Sequence, residues 1–126
     1  MELIFDSTKK FEKEISKFQG KDKSRIIEKI NTYCSLLQER PQDFYKQAYK
    51  PLIVNLQGEQ AASLYTLKIN RDIRVILTVD DDPIFDQTII TLLHVVRHSS
   101  LEKVFKGIAE SLYQNHIASI THRGNK

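Results

Sequence analysis

The chain has 126 residues, of which 40% are apolar and 28% charged, with four glycines and three prolines. This length and composition fit one globular domain around a single core, and they exclude a fibrous, collagen-like or disordered chain. The formal charge of +3 at pH 7 is compatible with a polyanionic partner but does not require one.

The cysteine content and the N-terminal residues indicate the compartment. Cys34 is the only cysteine, so no internal disulfide is expected, and its place in an apolar helical stripe indicates a small buried residue. The N-terminus has an acidic second residue and only three consecutive apolar residues, so we expect neither a secretory signal nor a membrane-spanning helix. A cytoplasmic protein without membrane contact is therefore expected.

The first forty residues predict a strand followed by two helices. Residues 3–5 form a short apolar run, and the Asp-Ser-Thr stretch after it is suited to capping a helix. Apolar residues then recur at spacings of three and four, over residues 9–18 and again over residues 26–37. We expect Gly20 to end the first helix and Pro41 to stop the second, because proline has no amide to donate.

The middle of the chain predicts three strands. Residues 41–62 contain two prolines and a glycine without a sustained period, so we expect a connector with a short turn near residues 43–49. Apolar residues alternate over residues 65–69 and 73–79, with a tight turn at residues 70–72 between them. Residues 88–97 are nearly all apolar, as in a strand covered on both faces. The three strands are predicted to form an antiparallel meander.

The last predicted element is a helix. Ser99 and Glu102 have the spacing of a capping box, and the apolar period continues to Tyr113. We expect this helix to pack on the sheet. Residues 1–114 are thus predicted to form a single α+β domain, and residues 115–126 a flexible basic tail.

The predicted order strand–helix–helix–strand–strand–strand–helix, with its small sheet dominated by antiparallel pairs, resembles that of the RelE/ParE superfamily of toxins. The most recognisable stretch runs from Ser63 to Tyr113. It contains a strand, a short turn, a strand beginning near Arg74, an apolar strand ending in the basic residues Arg97 and His98, and a helix. This resemblance implies a RelE/ParE-like α+β fold.

The resemblance also implies a function. Such a protein is the toxin of a toxin–antitoxin module, and the RelE-like branch cleaves mRNA on the ribosome by attack of a ribose 2′-hydroxyl on the adjacent phosphate. No metal or other cofactor is implied. The implied partners are a small cognate antitoxin, the ribosome with its mRNA, and operator DNA bound through the antitoxin.

Three residues are candidates for catalysis. Arg74 occupies the position of the family's early-strand arginine, and its guanidinium offers a planar pair of donors to phosphate oxygens. Arg97 and His98 stand where the family has basic residues after the last strand, and His98 is our candidate for proton transfer because imidazole titrates near neutral pH. Neighbouring strand residues face opposite sides, so Arg97 and His98 cannot both enter one site without a bulge or a strand end.

Further residues are candidates for RNA binding. The lysines can hold phosphates, although a solvated surface charge is the alternative for each of them. The aromatic ring can stack on a base, but it stands where many RNA-cleaving members have a tyrosine and it cannot move a proton. These candidates are Lys46, Lys50, Lys68, Lys103, Lys106 and Phe105.

Two other functions remain open from the sequence. One is a ParE-like toxin that binds DNA gyrase without chemistry of its own, and the other is an inert relative that binds only antitoxin and DNA. His94 is interpreted as a hydrogen-bonded core histidine, since no set of metal ligands surrounds it in the sequence.

Overall fold

The computed structural model describes residues 1–56, 60–108 and 110, and for residues 49–56 and 60–63 it describes the backbone only. The chain forms an α+β fold in which one mixed sheet carries helices. The elements in chain order are β1 (Glu2–Ser7), α1 (Lys9–Ile15), α2 (Gly20–Glu39), α3 (Pro41–Gln47), β2 (Tyr49–Leu56), β3 (Gln60–Lys68), β4 (Ile73–Asp82), β5 (Gln87–Arg97), a 3₁₀ turn (His98–Ser100) and α4 over residues 101–108.

The sheet has five strands in the order β1-β5-β4-β3-β2. The predicted antiparallel meander is confirmed, because β3 pairs with β4 and β4 with β5 in antiparallel register. β1 lies beside β5 and runs parallel to it, with Leu3 opposite Thr88 and Ser7 opposite Leu92. The helices between β1 and β2 therefore carry the chain from one edge of the sheet to the other.

One face of the sheet and the helices α1, α2 and α3 enclose the core. The amphipathic stripe of α2 supplies Ile26, Ile30, Cys34 and Leu37, all of them buried as the helical spacing predicts. The sheet supplies every second residue of its strands, as the two-residue period requires. On the strand side and in the short helices the buried members include Phe11, Phe44, Leu67, Val75, Leu77, Ile90, Leu92 and Val95.

The prediction of a connector over residues 41–62 is wrong. Pro41 begins α3 at its first turn, where the missing amide would have had no partner inside the helix. Pro51 lies in β2, which is the last strand of the sheet order, and the register with β3 shifts between Tyr49 and Leu52. Proline is tolerated at such edge positions because one side of the strand needs no donor.

The boundary between the first two helices also differs from the prediction. α1 ends at Ile15, and the amides of Lys17 and Phe18 donate to carbonyls three residues back, which tightens the chain into a turn. Gly20 begins α2 rather than ending α1. No Cβ clash or positive φ requires glycine there, so its helix-breaking tendency has no structural consequence at this position.

α4 confirms the predicted final helix over residues 101–108. Its predicted continuation to Tyr113, and the predicted tail over residues 115–126, lie outside the described residues. Within the described ranges, no helix combines the length and the apolarity needed to cross a bilayer.

Candidate functional site

Strand register sorts the side chains of β3, β4 and β5 onto two faces. One face belongs to the core described above. The other we call the α4 face, because four of its residues, Leu64, Thr78, His94 and Val96, line a cavity together with residues of α4. Its members are Leu64, Thr66 and Lys68 on β3, Arg74, Ile76 and Thr78 on β4, and His94 and Val96 on β5.

Two cations are neighbours on the α4 face. Lys68 and Arg74 are directly opposite each other in the β3–β4 register. Residues paired in this way have Cβ atoms about 4.5–5.5 Å apart. The sequence predicted the shared parity of these two residues, and the register confirms it. A phosphate placed over this pair would meet both positive charges.

The guanidinium of Arg74 is held in place by the turn before β4. Its Nη1 donates to the carbonyl oxygen of Asn70 at 2.6 Å and to that of Ile73 at 3.2 Å. The side chain of Asn70 accepts the amides of Asp72 and Ile73 at 2.9 and 2.8 Å, which closes the turn. Arg74 makes no ion pair within the described ranges. The guanidinium has five donors, so it keeps others for a ligand.

Arg97 lies away from Arg74. It is opposite Ile73, the residue before Arg74 on β4, so its side chain points to the other face of the sheet. Its guanidinium forms an ion pair with the carboxylate of Asp72. The same guanidinium lies 5.2 Å from the ring centre of Phe18, a cation–π distance. Arg97 and Arg74 therefore occupy opposite faces, as adjacent parity in the sequence indicated.

His98 follows the strand and begins the 3₁₀ turn. Its amide donates to the carbonyl of Asp72 at 2.5 Å, and the residue is exposed. The structure does not place it among the residues that line the large cavity described next. Of the three candidates for catalysis, only Arg74 lies on the α4 face. Arg97 lies on the other face, and His98 follows the last strand.

A cavity of about 670 Å³ lies between α4, the α4 face and α1. This volume falls in the range of roughly 300–1,000 Å³ that is usual for small-ligand sites. Its apolar wall comes from Leu64, Leu93, Val96, Val104 and Ile108, and its polar groups are Thr8, Lys10, Glu14, Thr78, His94, Ser100 and Lys103.

Glu14 and His94 form a hydrogen-bonded pair in this cavity. Nδ1 of His94 lies 3.0 Å from each carboxylate oxygen of Glu14, and the amide of Val95 donates to Glu14 Oε1 at 3.2 Å. The side chains are 14% and 25% exposed for His94 and Glu14. With an ionised carboxylate as acceptor, the proton of a neutral imidazole is on Nδ1, which leaves Nε2 as an acceptor. His94 has the predicted hydrogen bond, but it lines a cavity instead of the core.

A β-bulge brings the pair together. The β4–β5 register steps from Ile76 opposite His94 to Leu77 opposite Leu92, so Leu93 is the extra residue. Both Leu93 and His94 line the cavity. Thr8 caps α1 by accepting the amide of Phe11 at 3.1 Å, and its hydroxyl donates to the carbonyl of Leu93 at 2.9 Å. α1 is thereby fixed against β5 where the edge is no longer paired with β1.

Sequence reasoning did not identify Glu14 or Lys10 as candidate site residues. Both belong to an amphipathic helix in which charged residues fill the polar face, and nothing in that pattern separates them from Lys9 or Glu12. The parity of His94 with His98 was visible in the sequence, but the contact with α1 was not.

The predicted RNA-binding residues are divided between two regions. Lys103 lines the cavity, whereas Lys106 and Phe105 lie on α4 without lining it, with Lys106 exposed and Phe105 half-buried. Lys46 is exposed on α3, the helix that packs beside α2 on the opposite side of the sheet. The side chain of Lys50 lies outside the described residues.

Among the residues whose side chains the structure describes, there is no cluster of three or more His, Cys, Asp or Glu arranged to hold a metal ion. Comparison with known proteins found no family model that matches the sequence and no similar curated protein.

Proposed function

We propose that this protein is the toxin of a toxin–antitoxin module and that it cleaves mRNA on the ribosome in the cytoplasm, without a metal. The single observation that carries this proposal is the Lys68–Arg74 pair on the α4 face, beside a cavity with further basic groups. The α+β order with its antiparallel meander supports a RelE/ParE-like fold, which the sequence resemblance implies.

The proposed reaction has electrostatic needs that this face meets. Attack of a 2′-hydroxyl on the adjacent phosphate places extra negative charge on the phosphoryl oxygens in the transition state. Fixed cations stabilise that charge most when they need no rearrangement during the reaction. Arg74 is held by two carbonyl oxygens, and Lys68 stands opposite it on β3.

The surface also fits the proposed partners. The side chain of Lys68 is exposed, so the cation pair is open to a polyanion from outside. A small antitoxin that covers the α4 face or displaces α4 would block the same residues. Binding of operator DNA is proposed to go through that antitoxin.

The experiment compares two activities of purified protein in parallel. Translating ribosomes are programmed with a defined mRNA and the cuts are mapped, while DNA gyrase is assayed for supercoiling. We expect cuts only in ribosome-bound mRNA, unaffected by a chelator, and suppressed by the protein encoded next to this gene if that protein is the antitoxin. Intact mRNA under these conditions contradicts the proposal.

The alternative of a ParE-like gyrase-binding toxin is favoured by one observation. Arg97, a predicted catalytic residue, lies on the face opposite Arg74 and is paired there with Asp72 and Phe18. Inhibited supercoiling together with intact mRNA would establish this alternative. If induction arrests growth with neither effect, both functions are wrong.

A further inference from the structure

We propose that His94 is the general base of this cleavage, that Glu14 is its positioning residue, and that the adjacent cavity receives the ribose and phosphate at the cut. This inference rests on the proposed function, and it assigns the proton transfer to a histidine other than His98. It follows from the cavity, the Glu14–His94 pair and the sheet register.

The carboxylate of Glu14 sets the orientation of the imidazole. Glu14 is itself fixed, because Oε1 accepts the amide of Val95 at 3.2 Å while both oxygens lie 3.0 Å from His94 Nδ1. A carboxylate in this position holds the proton on Nδ1, stabilises the imidazolium that forms when Nε2 takes a second proton, and sets the ring orientation. Within the described residues, Nε2 has no hydrogen-bond partner.

The cations of the α4 face lie close enough to His94 to share a substrate with it. His94 is opposite Ile76, and Arg74 is two residues from Ile76 on the same face of β4. Such diagonal neighbours have Cβ atoms about 7–8 Å apart, within reach of long side chains. The guanidinium of Arg74 is turned toward the carbonyls of Asn70 and Ile73, so an RNA whose 2′-hydroxyl lies near His94 would run along β4 toward this turn to bring a phosphate to Arg74. His98 lies outside this arrangement, in the 3₁₀ turn.

The cavity has the size and the charge to receive a nucleotide. Its apolar wall and its volume of about 670 Å³ suit a nucleoside, and the charged groups that line it besides His94 are Glu14 and Lys10 from α1 and Lys103 from α4. Two lysines against one carboxylate favour an anionic ligand. A site with an apolar wall and a few convergent polar groups is the usual form of a ligand pocket.

The proposed step transfers one proton and exchanges one bond at phosphorus. The 2′-oxygen forms a bond to phosphorus as its proton passes to Nε2 of His94, and the bond from phosphorus to the 5′-oxygen breaks. The leaving 5′-oxygen takes a proton from water. The products are a 2′,3′-cyclic phosphate and a 5′-hydroxyl, and His94 returns its proton to solvent.

The test measures single-turnover cleavage of ribosome-bound mRNA against pH. For the unmodified protein the rate should rise with pH and then level off, because a general base acts only when it is unprotonated. His94→Gln should lose about 10²- to 10⁴-fold in rate and this dependence on pH with it. His98→Gln is measured beside it to show which histidine the pH profile follows.

Glu14→Gln tests whether Glu14 acts by holding the proton of His94 on Nδ1, because the tautomer of His94 can be measured separately from the cleavage rate. The carbonyl of the introduced glutamine would keep the bond from Val95, and its amide would donate to Nδ1, which forces the proton of His94 onto Nε2. We expect a loss approaching that of His94→Gln, and ¹⁵N NMR of the imidazole should show the tautomer change. Glu12→Gln, an exposed position on the same helix, is the matched control and should keep the normal rate and tautomer.

The outcomes separate this inference from the proposed function. If the unmodified protein leaves the mRNA intact, the proposed function fails and the role of His94 fails with it. If the unmodified protein cuts and His94→Gln cuts equally fast with the same pH profile, only the role of His94 is overturned. Loss of rate in Glu14→Gln without a tautomer change overturns the positioning role.

Discussion

Arg74 is the catalytic candidate that the structure places beside a second cation. It lies opposite Lys68, and two turn carbonyls fix its guanidinium. A cation fixed at a developing negative charge acts on rate more than on affinity. Arg97 is different: it lies on the other face of the sheet, it is exposed, and its guanidinium is paired with the carboxylate of Asp72.

We therefore predict that Arg74→Ala lowers the single-turnover cleavage rate by about 10²- to 10³-fold while ribosome binding changes less. Arg71→Ala removes an exposed arginine from the same turn and serves as the control, with a nearly normal rate expected. Arg74→Lys keeps the charge but loses the planar pair of donors, so it should recover only part of the rate. An Arg74→Ala protein that cuts at the normal rate removes Arg74 from the site.

Lys46 is predicted to act through binding. It is exposed on α3, away from the α4 face. Lys46→Ala should leave the rate at saturating ribosomes unchanged and weaken binding, with a shallower dependence of binding on salt, because one phosphate contact is lost. Titration of labelled ribosomes at several salt concentrations measures this. A lower rate at saturation would contradict a role confined to binding.

At the scale of elements, the junction between β1 and α1 positions the cavity. β1 is paired with β5 as far as Leu92, and α1 then runs along the same edge. Thr8 joins the two. Its hydroxyl oxygen accepts a hydrogen bond from the amide of Phe11, and its O–H donates a hydrogen bond to the carbonyl of Leu93 at the bulge. Glu14 reaches His94 only because this junction places α1 beside the bulge.

Thr8→Ala should therefore lower the free energy of unfolding by about 1–2 kcal/mol, through loss of the cap and of the bond to Leu93. Thr8→Ser keeps both bonds and should lose much less. Ser7→Ala, at the neighbouring exposed position, should stay within about 0.5 kcal/mol of the unmodified protein. Urea denaturation followed by circular dichroism measures all three. Equal stability of Thr8→Ala and Ser7→Ala would contradict the role of this junction.

At the scale of the whole molecule, the buried thiol links stability to pH. Cys34 is fully buried in the core, and this burial raises its pKa from the ordinary 9.0 to about 12. Burial also raises the pKa of Tyr45 and of Tyr65; the negative charge of ionised Tyr65 raises that of Tyr45 further, and the negative charge of Asp81 raises both. In each case the unfolded chain releases its proton at a lower pH than the folded protein does.

We predict that the free energy of unfolding is insensitive to Cys34 below its unfolded pKa and falls as pH rises above about 9, by up to about 1.4 kcal/mol per pH unit. The tyrosines add to the loss above about pH 10. Urea denaturation at a series of pH values measures the slope. Cys34→Ala should have a shallower slope between about pH 9 and 10, before tyrosine titration dominates. The same slope in both proteins would contradict the assignment to the thiol.

The sequence by itself determined the elements with strong periods and the parity of their residues. The buried stripe of α2, the β3–β4–β5 meander and the shared face of Lys68 and Arg74 follow from periods of 3.6 and 2, which are local properties of the chain. It missed β2 and α3 because Pro41 and Pro51 indicate breaks in most contexts. Only their positions, at a helix start and on an edge strand, make them compatible with regular structure.

The tertiary structure alone decided the composition of the candidate site. Glu14 and His94 are 80 residues apart in the chain, and their contact depends on β1 pairing with β5, on the bulge at Leu93 and on Thr8 at the start of α1. None of these leaves a periodic signal, because each is a pairing between distant segments. The family resemblance therefore suggested Arg74 and strand parity its shared face with Lys68, whereas the partner of His94 and the cavity that they line arise only when the sheet edge and α1 are brought together.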